Sequence, residues 1–318
     1  MIGAAVAIAL AAGGAVWGAV ALGGGDAVTE ASEAPAQSAI AADTRMGAVE
    51  LRSADLDAMT DFYVDGVGLA LLADDGAAVA LGAHDGAGAE ELVRLVSADA
   101  RYASPNDAGL FHTAIRFPDE PALARVLLRV ATLFPSAYQG SADHAVSLAF
   151  YFADPEGNGV ELYVDRPRAE WVWKDGAVQM GNAALDPNTF IEQHLERETA
   201  GIPDMGHVHL KVGDLTAARE FYEGVLGFAV TAEADGAIFL SAGGYHHHLA
   251  ANTWGSAGAA ARPTTLGLGS VGVVVPAASD LDALVDRLES AAVAYERTDA
   301  ALSVADPWGT TLEFSLED

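Results

Sequence analysis

The nine histidines of this 318-residue chain are unevenly spread. His207 and His209 lie two apart in an alternating apolar stretch, and His246, His247 and His248 stand in a row after Gly243, Gly244 and Tyr245. Glu313 sits between Leu312 and Phe314, where a carboxylate is costly to bury unless something cationic meets it. Two neutral imidazoles and one carboxylate on one side of a metal, with the other side open, form a donor set suited to oxygen chemistry at non-haem iron. Each group alone has a blander reading. The 207/209 pair would be the polar face of a sheet, the triplet a solvated loop, and Glu313 a surface residue near the acidic end Glu317-Asp318. Their positions in an internal repeat are what join them.

Residues 205–228, MGHVHLKVGDLTAAREFYEGVLGF, repeat residues 47–69, GAVELRSADLDAMTDFYVDGVGL, with an offset of 159 in a chain of 318. Asp55 matches Asp214, Leu56 matches Leu215, Phe62 and Tyr63 match Phe221 and Tyr222, and Gly68 matches Gly227. His207 and His209 replace Ala48 and Glu50. A second repeat lies inside each half: Asp154-Pro155-Glu156-Gly157 with Glu161 recurs as Asp306-Pro307-Trp308-Gly309 with Glu313. Four modules result, each a strand, an amphipathic helix and further strands. In the third, Asp214 is an N-cap, Leu215, Ala218, Tyr222, Val225 and Leu226 share a helical face, and Gly227 stops the helix. Strands are expected at 237–242 and 245–252, then at 271–275, 301–305 and 310–316. The fold class is α+β, built from four βαβββ modules.

The run HVHLKVGDLTAAREFYEGVLGF, the segment GGYHHHLAANTW and the endings DPEGNGVELY and DPWGTTLEF resemble the vicinal oxygen chelate superfamily, which includes glyoxalase I, extradiol dioxygenases and fosfomycin-resistance proteins. With four modules and SADHAVSLAFYFADPEGNGVELYVDRP, the resemblance is strongest to its catechol 2,3-dioxygenase branch, and it covers roughly residues 46–318. It implies four βαβββ modules paired into two open U-shaped mixed sheets, a cup holding one divalent metal, Fe(II) or alternatively Mn(II), a small aromatic diol and O2 as substrates, and extradiol ring cleavage. Non-redox glyoxalase-like lyase or isomerase chemistry, or small-molecule binding and resistance, is the alternative within the fold. His207 falls at the family's first ligand position and Glu313 at its last, and strand alternation with the Asn252/Trp254 alignment favours His248 as the third ligand. Two departures matter. Ser270 stands where many relatives carry a second histidine, and no tyrosine closely precedes Glu313. Acid-base work then falls to His246, with Tyr245 or His209 as assistants.

His112, His144 and Glu161 mark a second possible site in the amino-terminal half. Module one offers only Ala48 at the ligand position, so this half reads as a decayed copy, shaping the sheet and an oligomer surface. The expected organisation is an extension at 1–44, a first domain at 45–168 (modules one and two), a linker with a helix at 169–200, and a metal-bearing second domain at 201–318 (modules three and four).

Composition bounds the setting. A net charge of −29, with Lys174 and Lys211 the sole lysines among 16 basic residues, suggests a salt-rich cytosol, where carboxylates keep the chain hydrated. No basic face exists for nucleic acid. The absence of cysteine excludes disulfides and thiolate ligands, and no phosphate cradle or hydride-cofactor signature appears. Residues 2–25 are uncharged and long enough to cross a bilayer, but they are rich in alanine and glycine and lack preceding basic residues. They read as a start placed too early, with Met46 or a residue upstream as the first, and a cytoplasmic protein. A membrane anchor through 2–25 is the alternative. Residues 26–43 are expected to be a disordered lead-in, and 166–203 a packed linker with a helix from Asp186 or Asn188 through Glu196.

Overall fold

The computed structural model describes residues 33–84, 88–198 and 201–317, so the apolar 2–25 run lies outside the described residues. All four modules form. The strands are Arg45–Ser53, Ala70–Asp74, Ala78–His84 and Ala89–Ser97 in the first, and Gly109–Arg116, Tyr138–Asp143, Ser147–Ala153 and Gly159–Asp165 in the second. The third has Asp204–Lys211, Ala229–Ala234, Ala237–Ser241 and Leu249–Asn252, and the fourth Gly267–Val275, Tyr295–Arg297, Ala301–Ala305 and Thr311–Leu316. In every module the opening strand lies parallel to the closing one, a connection that requires the intervening helix. Helices begin where the sequence caps them: the Asp214 carboxylate accepts from the Ala217 amide at 2.8 Å and the Asp119 carboxylate from Ala122 at 2.8 Å. Each such cap contributes about 1 kcal/mol. The helix of module three, Leu215–Arg219, widens into a π-turn at Glu220–Val225 and stops at Gly227, whose φ of +89° is the left-handed conformation expected there. The linker helix runs Pro187–His194 behind its Asp186 cap.

The modules pair in an order that differs from the expected domain division. Arg45–Ser53 of module one lies antiparallel to Gly267–Val275 of module four, building an eight-stranded sheet. Gly109–Arg116 of module two lies antiparallel to Asp204–Lys211 of module three, building a nine-stranded sheet. Neither 45–168 nor 201–318 therefore closes a sheet of its own. All four opening strands offer an equivalent edge, so a repeat in the sequence defines the modules without naming their partners. Two matching clamps tie the sheets together: the Tyr63 hydroxyl meets Asp154 at 3.3 Å, and that of Tyr222 donates to Asp306 at 2.8 Å. Glu156 adds a third tie, its carboxylate accepting from the Ala54 and Asp55 amides at the start of the first helix.

The lead-in expected to be disordered is packed from residue 33 onward. The Glu33 and Ala36 amides donate to the carbonyls of Trp173 and Gly176, and those of Ala39 and Ile40 donate to Gly227. It thus pins a linker hairpin, Trp173–Lys174 with Ala177–Val178, against module three. Trp171 and Trp173 of this linker are buried with Val146, Val178 and Tyr245. No helix among the described residues is long and apolar enough to cross a membrane.

Candidate metal centre

The nine-stranded sheet curls around a buried cluster of imidazoles. Across its central antiparallel pair, His207 lies opposite Ala114 and His209 opposite His112, and on the far side of Ala114 the parallel register brings Glu161 alongside. Side chains alternate along a strand, so these residues share the concave face. Glu161 Oε2 lies 3.1 Å from His112 Nε2 and 3.3 Å from His207 Nε2, and all three residues are at most 4% exposed. Among the described residues this is the one group of three whose donor atoms lie within 4.8 Å of one another.

The environment sets the protonation a ligand set needs. Burial pulls the His207 imidazole down to about 4, so it is neutral at ordinary pH. Burial would raise the Glu161 carboxyl, but His207 and His112 beside it hold it well below the usual carboxylate range. A carboxylate buried this deeply beside two imidazole nitrogens is a donor set that a divalent cation would complete. The chemistry of the donor set thus fits a transition metal of the iron or manganese kind. The two crossing opening strands relate His112 to His207 by an approximate two-fold axis, and the same operation relates Glu161 to Ala250, which lies beside His209. The position symmetric to Glu161 therefore carries a methyl group and no donor atom.

Aromatic groups close the cup. Phe111 packs edge-on against His209, with Trp254 against both, and Phe239 lies against His209 and His247. The His247 ring lies 4.1 Å from that of His207. Behind it, His247 Nδ1 meets His246 Nδ1 at 2.8 Å, and His246 Nε2 meets the Asp165 carboxylate at 2.9 Å. Burial would raise the Asp165 carboxyl, but His246 and then Arg116 keep it below its ordinary range. The Tyr163 hydroxyl, 2.7 Å from that of Tyr245, passes so close to Gly206 that a Cβ there would sit 1.8 Å from it. Any side chain at 206 would push Tyr163 off the His207 ring.

The expected ligands are only partly brought together. His207 is in the cluster. Glu313 is exposed in the other sheet, where it lies beside Gly272 as Glu161 lies beside Ala114. It holds the same module position in a cup whose two histidine positions are Ala48 and Ser270. His248 is buried but turned away from the cluster: its Nδ1 accepts from the Ala242 amide at 3.2 Å, and it lines a separate cavity of about 470 Å³ with Arg116, Arg168 and Tyr245. Burial, and after it the charges of His246 and Arg168, take its imidazole down to about 3. The alternation argument failed because 242–248 is not a strand. Gly243 and Gly244 take φ of +59° and +69°, and the closing strand begins only at Leu249. Of the acid-base candidates, His209 is in the cup, whereas His246 and Tyr245 form its wall, their polar atoms already engaged. His112 and Glu161, read as a decayed second site, are the partners that His207 lacked.

The comparisons agree with this architecture. Residues 204–314 match the model of the Glyoxalase/Bleomycin resistance protein/Dioxygenase superfamily. A catechol-2,3-dioxygenase of Bacillus subtilis (strain 168) is 35% identical over 274 residues, covering 83% of this chain and 94% of the relative. Among solved structures, glyoxalase I from Zea mays superposes with a TM-score of 0.51 at 18% identity, covering 86% of this chain and 92% of that one. A protein from Bacillus subtilis subsp. subtilis str. 168, provisionally named a dioxygenase, does so at 0.58 and 14%, covering 88% and 86%. The chain belongs to this superfamily, as a two-sheet protein whose metal-type cup is shared between modules two and three. It is an enzyme on the dioxygenase side of that superfamily.

Proposed function

We propose that the chain is an Fe(II)-dependent extradiol dioxygenase that opens a catechol-type aromatic diol with O2, working in the cytoplasm, with His112, His207 and Glu161 as the metal ligands. The observation that carries this reading is a set of three convergent donors with Ala250 at the fourth symmetric position. Three ligands leave room for a chelating diol and O2 together, whereas a fourth carboxylate would not. The 35% identical Bacillus subtilis relative, a catechol-2,3-dioxygenase, supports the substrate class.

A metal bound there would supply Lewis acidity toward the diol oxygens and a site for O2. The residues supply the rest. Phe111, Phe239 and Trp254 exclude water and offer flat apolar surface to an aromatic ring. In the tautomer whose Nε2–H donates to Asp165, His246 presents its Nδ1 lone pair to His247. His247 must then carry its proton on Nδ1, and its Nε2 is left as an acceptor beside His207. In this reading His247 takes the diol proton and His246 positions it, which moves the base one residue along from the sequence expectation.

The test is anaerobic loading of the chain with Fe(II), then catechol and air, following the yellow ring-opened product. Product should vanish in His112→Ala, His207→Ala and Glu161→Gln and persist in Glu313→Gln. Tight Mn(II), Ni(II) or Zn(II) binding at the same three residues without product from any diol would overturn the reading in favour of non-redox, glyoxalase-like chemistry.

A further inference from the structure

The cavity of about 470 Å³ that His248 lines shares no residue with the cluster of His112, His207 and Glu161. It lies where the first residues of Arg45–Ser53 and of Asp204–Lys211 come together, between the two sheets. Charges surround it, and most are already matched. Arg45 pairs with Glu90 at 2.5 Å and with Glu317 at 3.5 Å. The Arg116 fork is spent on Asp204, with Nε at 3.0 Å, and on Asp165, with Nη1 at 3.1 Å. Asp43 is the lining carboxylate outside these pairs, and it is exposed to water.

Two donors at the other end have no such match. Among the described residues Arg168 makes no ion pair, in a chain with 45 acidic residues against 16 basic ones. Aromatic faces hold its guanidinium instead, 5.5 Å from the ring of Trp171 and 5.3 Å from that of Tyr245, both buried. His248 is the second. A backbone N–H only donates, so the Ala242 amide makes His248 Nδ1 an acceptor and leaves the proton of the neutral ring on Nε2. The residue is 8% exposed, and no described residue accepts that proton. A buried donor without an acceptor is costly and rare in a folded chain, and the cavity is where the acceptor would sit. Beyond burial and His246, the charges of Arg168 and Arg116 are what the His248 ring feels, so this end of the cavity is positive.

We propose that the cavity binds a small organic monocarboxylate, one oxygen accepting from His248 Nε2 and the other facing the Arg168 guanidinium, with the apolar body of the molecule against Met46 and Met205. One unmatched guanidinium answers one negative charge, and its planar fork fits a carboxylate. A dianion would bring a second charge toward Asp43. A cavity of about 470 Å³ is in the range that small ligands fill. None of these residues is a proposed metal ligand, so the site stands whether or not the cup holds iron.

The test is calorimetry of the full chain with sodium benzoate, with benzyl alcohol and inorganic phosphate as comparison ligands. Benzoate should bind at a single site, and benzyl alcohol, the same ring without the charge, should bind about tenfold more weakly or worse. Arg168→Gln, at an exposed position, should weaken benzoate by about tenfold or more, and Arg168→Lys should restore part of the loss. Glu161→Gln should leave the benzoate affinity unchanged. Nitrogen-15 NMR should show neutral His248 protonated on Nε2, with that resonance moving as benzoate is added. No benzoate binding, an affinity that Arg168→Gln does not weaken, or a preference for phosphate would each overturn the proposal. So would loss of benzoate binding in Glu161→Gln, which would put the acid in the metal cup.

Discussion

On the proposed reading, Ala250 limits how many protein atoms can reach the centre. Ala250→Glu places a second carboxylate opposite Glu161, and metal affinity measured by calorimetry should rise about tenfold while ring-opened product is lost, because the added ligand occupies a position the substrates need. A variant that keeps both its affinity and its turnover would show that Ala250 does not face the metal. The residue types of the site were legible in the sequence, but their partnership was only half so. His207 stood out by its repeat position, and His112 and Glu161 by theirs, but as a possible second site in the other half rather than as neighbours of His207. Glu161 and Glu313 stand in the same Asp-Pro-x-Gly context, and what separates them is which opening strand lies across the sheet. The histidine triplet misled for a local reason: two consecutive left-handed glycines abolish the alternation that would have ranked its members.

The helices and turns carry a different kind of dependence. Burial raises the Asp154 carboxyl to about 6, against the opposing hydrogen bonds from Asn158, Glu156 and Tyr63. Its folded value lies above the unfolded one, so the folded state holds the proton more tightly. The stability it contributes is fully present below about pH 4 and is lost as pH rises through about 6. Denaturant midpoints should therefore show wild type losing, between those values, on the order of 2 to 3 kcal/mol relative to Asp154→Asn. Parallel curves for the two proteins would remove Asp154 as the source. Tyr63→Phe, which deletes one donor to a buried carboxylate, should cost about 1 to 2 kcal/mol by the same measurement. Most elements were readable in advance because caps, glycine stops and apolar faces are local signals: Asp214, Asp186 and Gly227 do what their types dictate. The lead-in at 33–43 was not, because its order comes from backbone bonds to Trp173, Gly176 and Gly227, far away in sequence.

At the scale of the whole molecule, a net charge of −29 makes the folded state repel itself. Raising KCl from about 0.1 M to about 1 M shortens the Debye length from about 10 Å to about 3 Å. Tm should climb by several degrees over that range, and a flat response would mean that the acidic surface is not the limiting strain. The pairing of the modules, 2 with 3 and 1 with 4, is nested like brackets. During synthesis the inner bracket can close as soon as module three emerges, but the outer one stays open until the final strand, Thr311–Leu316, completes module four. The free edge of Arg45–Ser53 must therefore wait, unpaired, for nearly the entire chain, a long closure that slows folding and leaves a sticky edge for chaperones to shield. The two halves of the chain thus cannot be parted, since each supplies one wall of both cups.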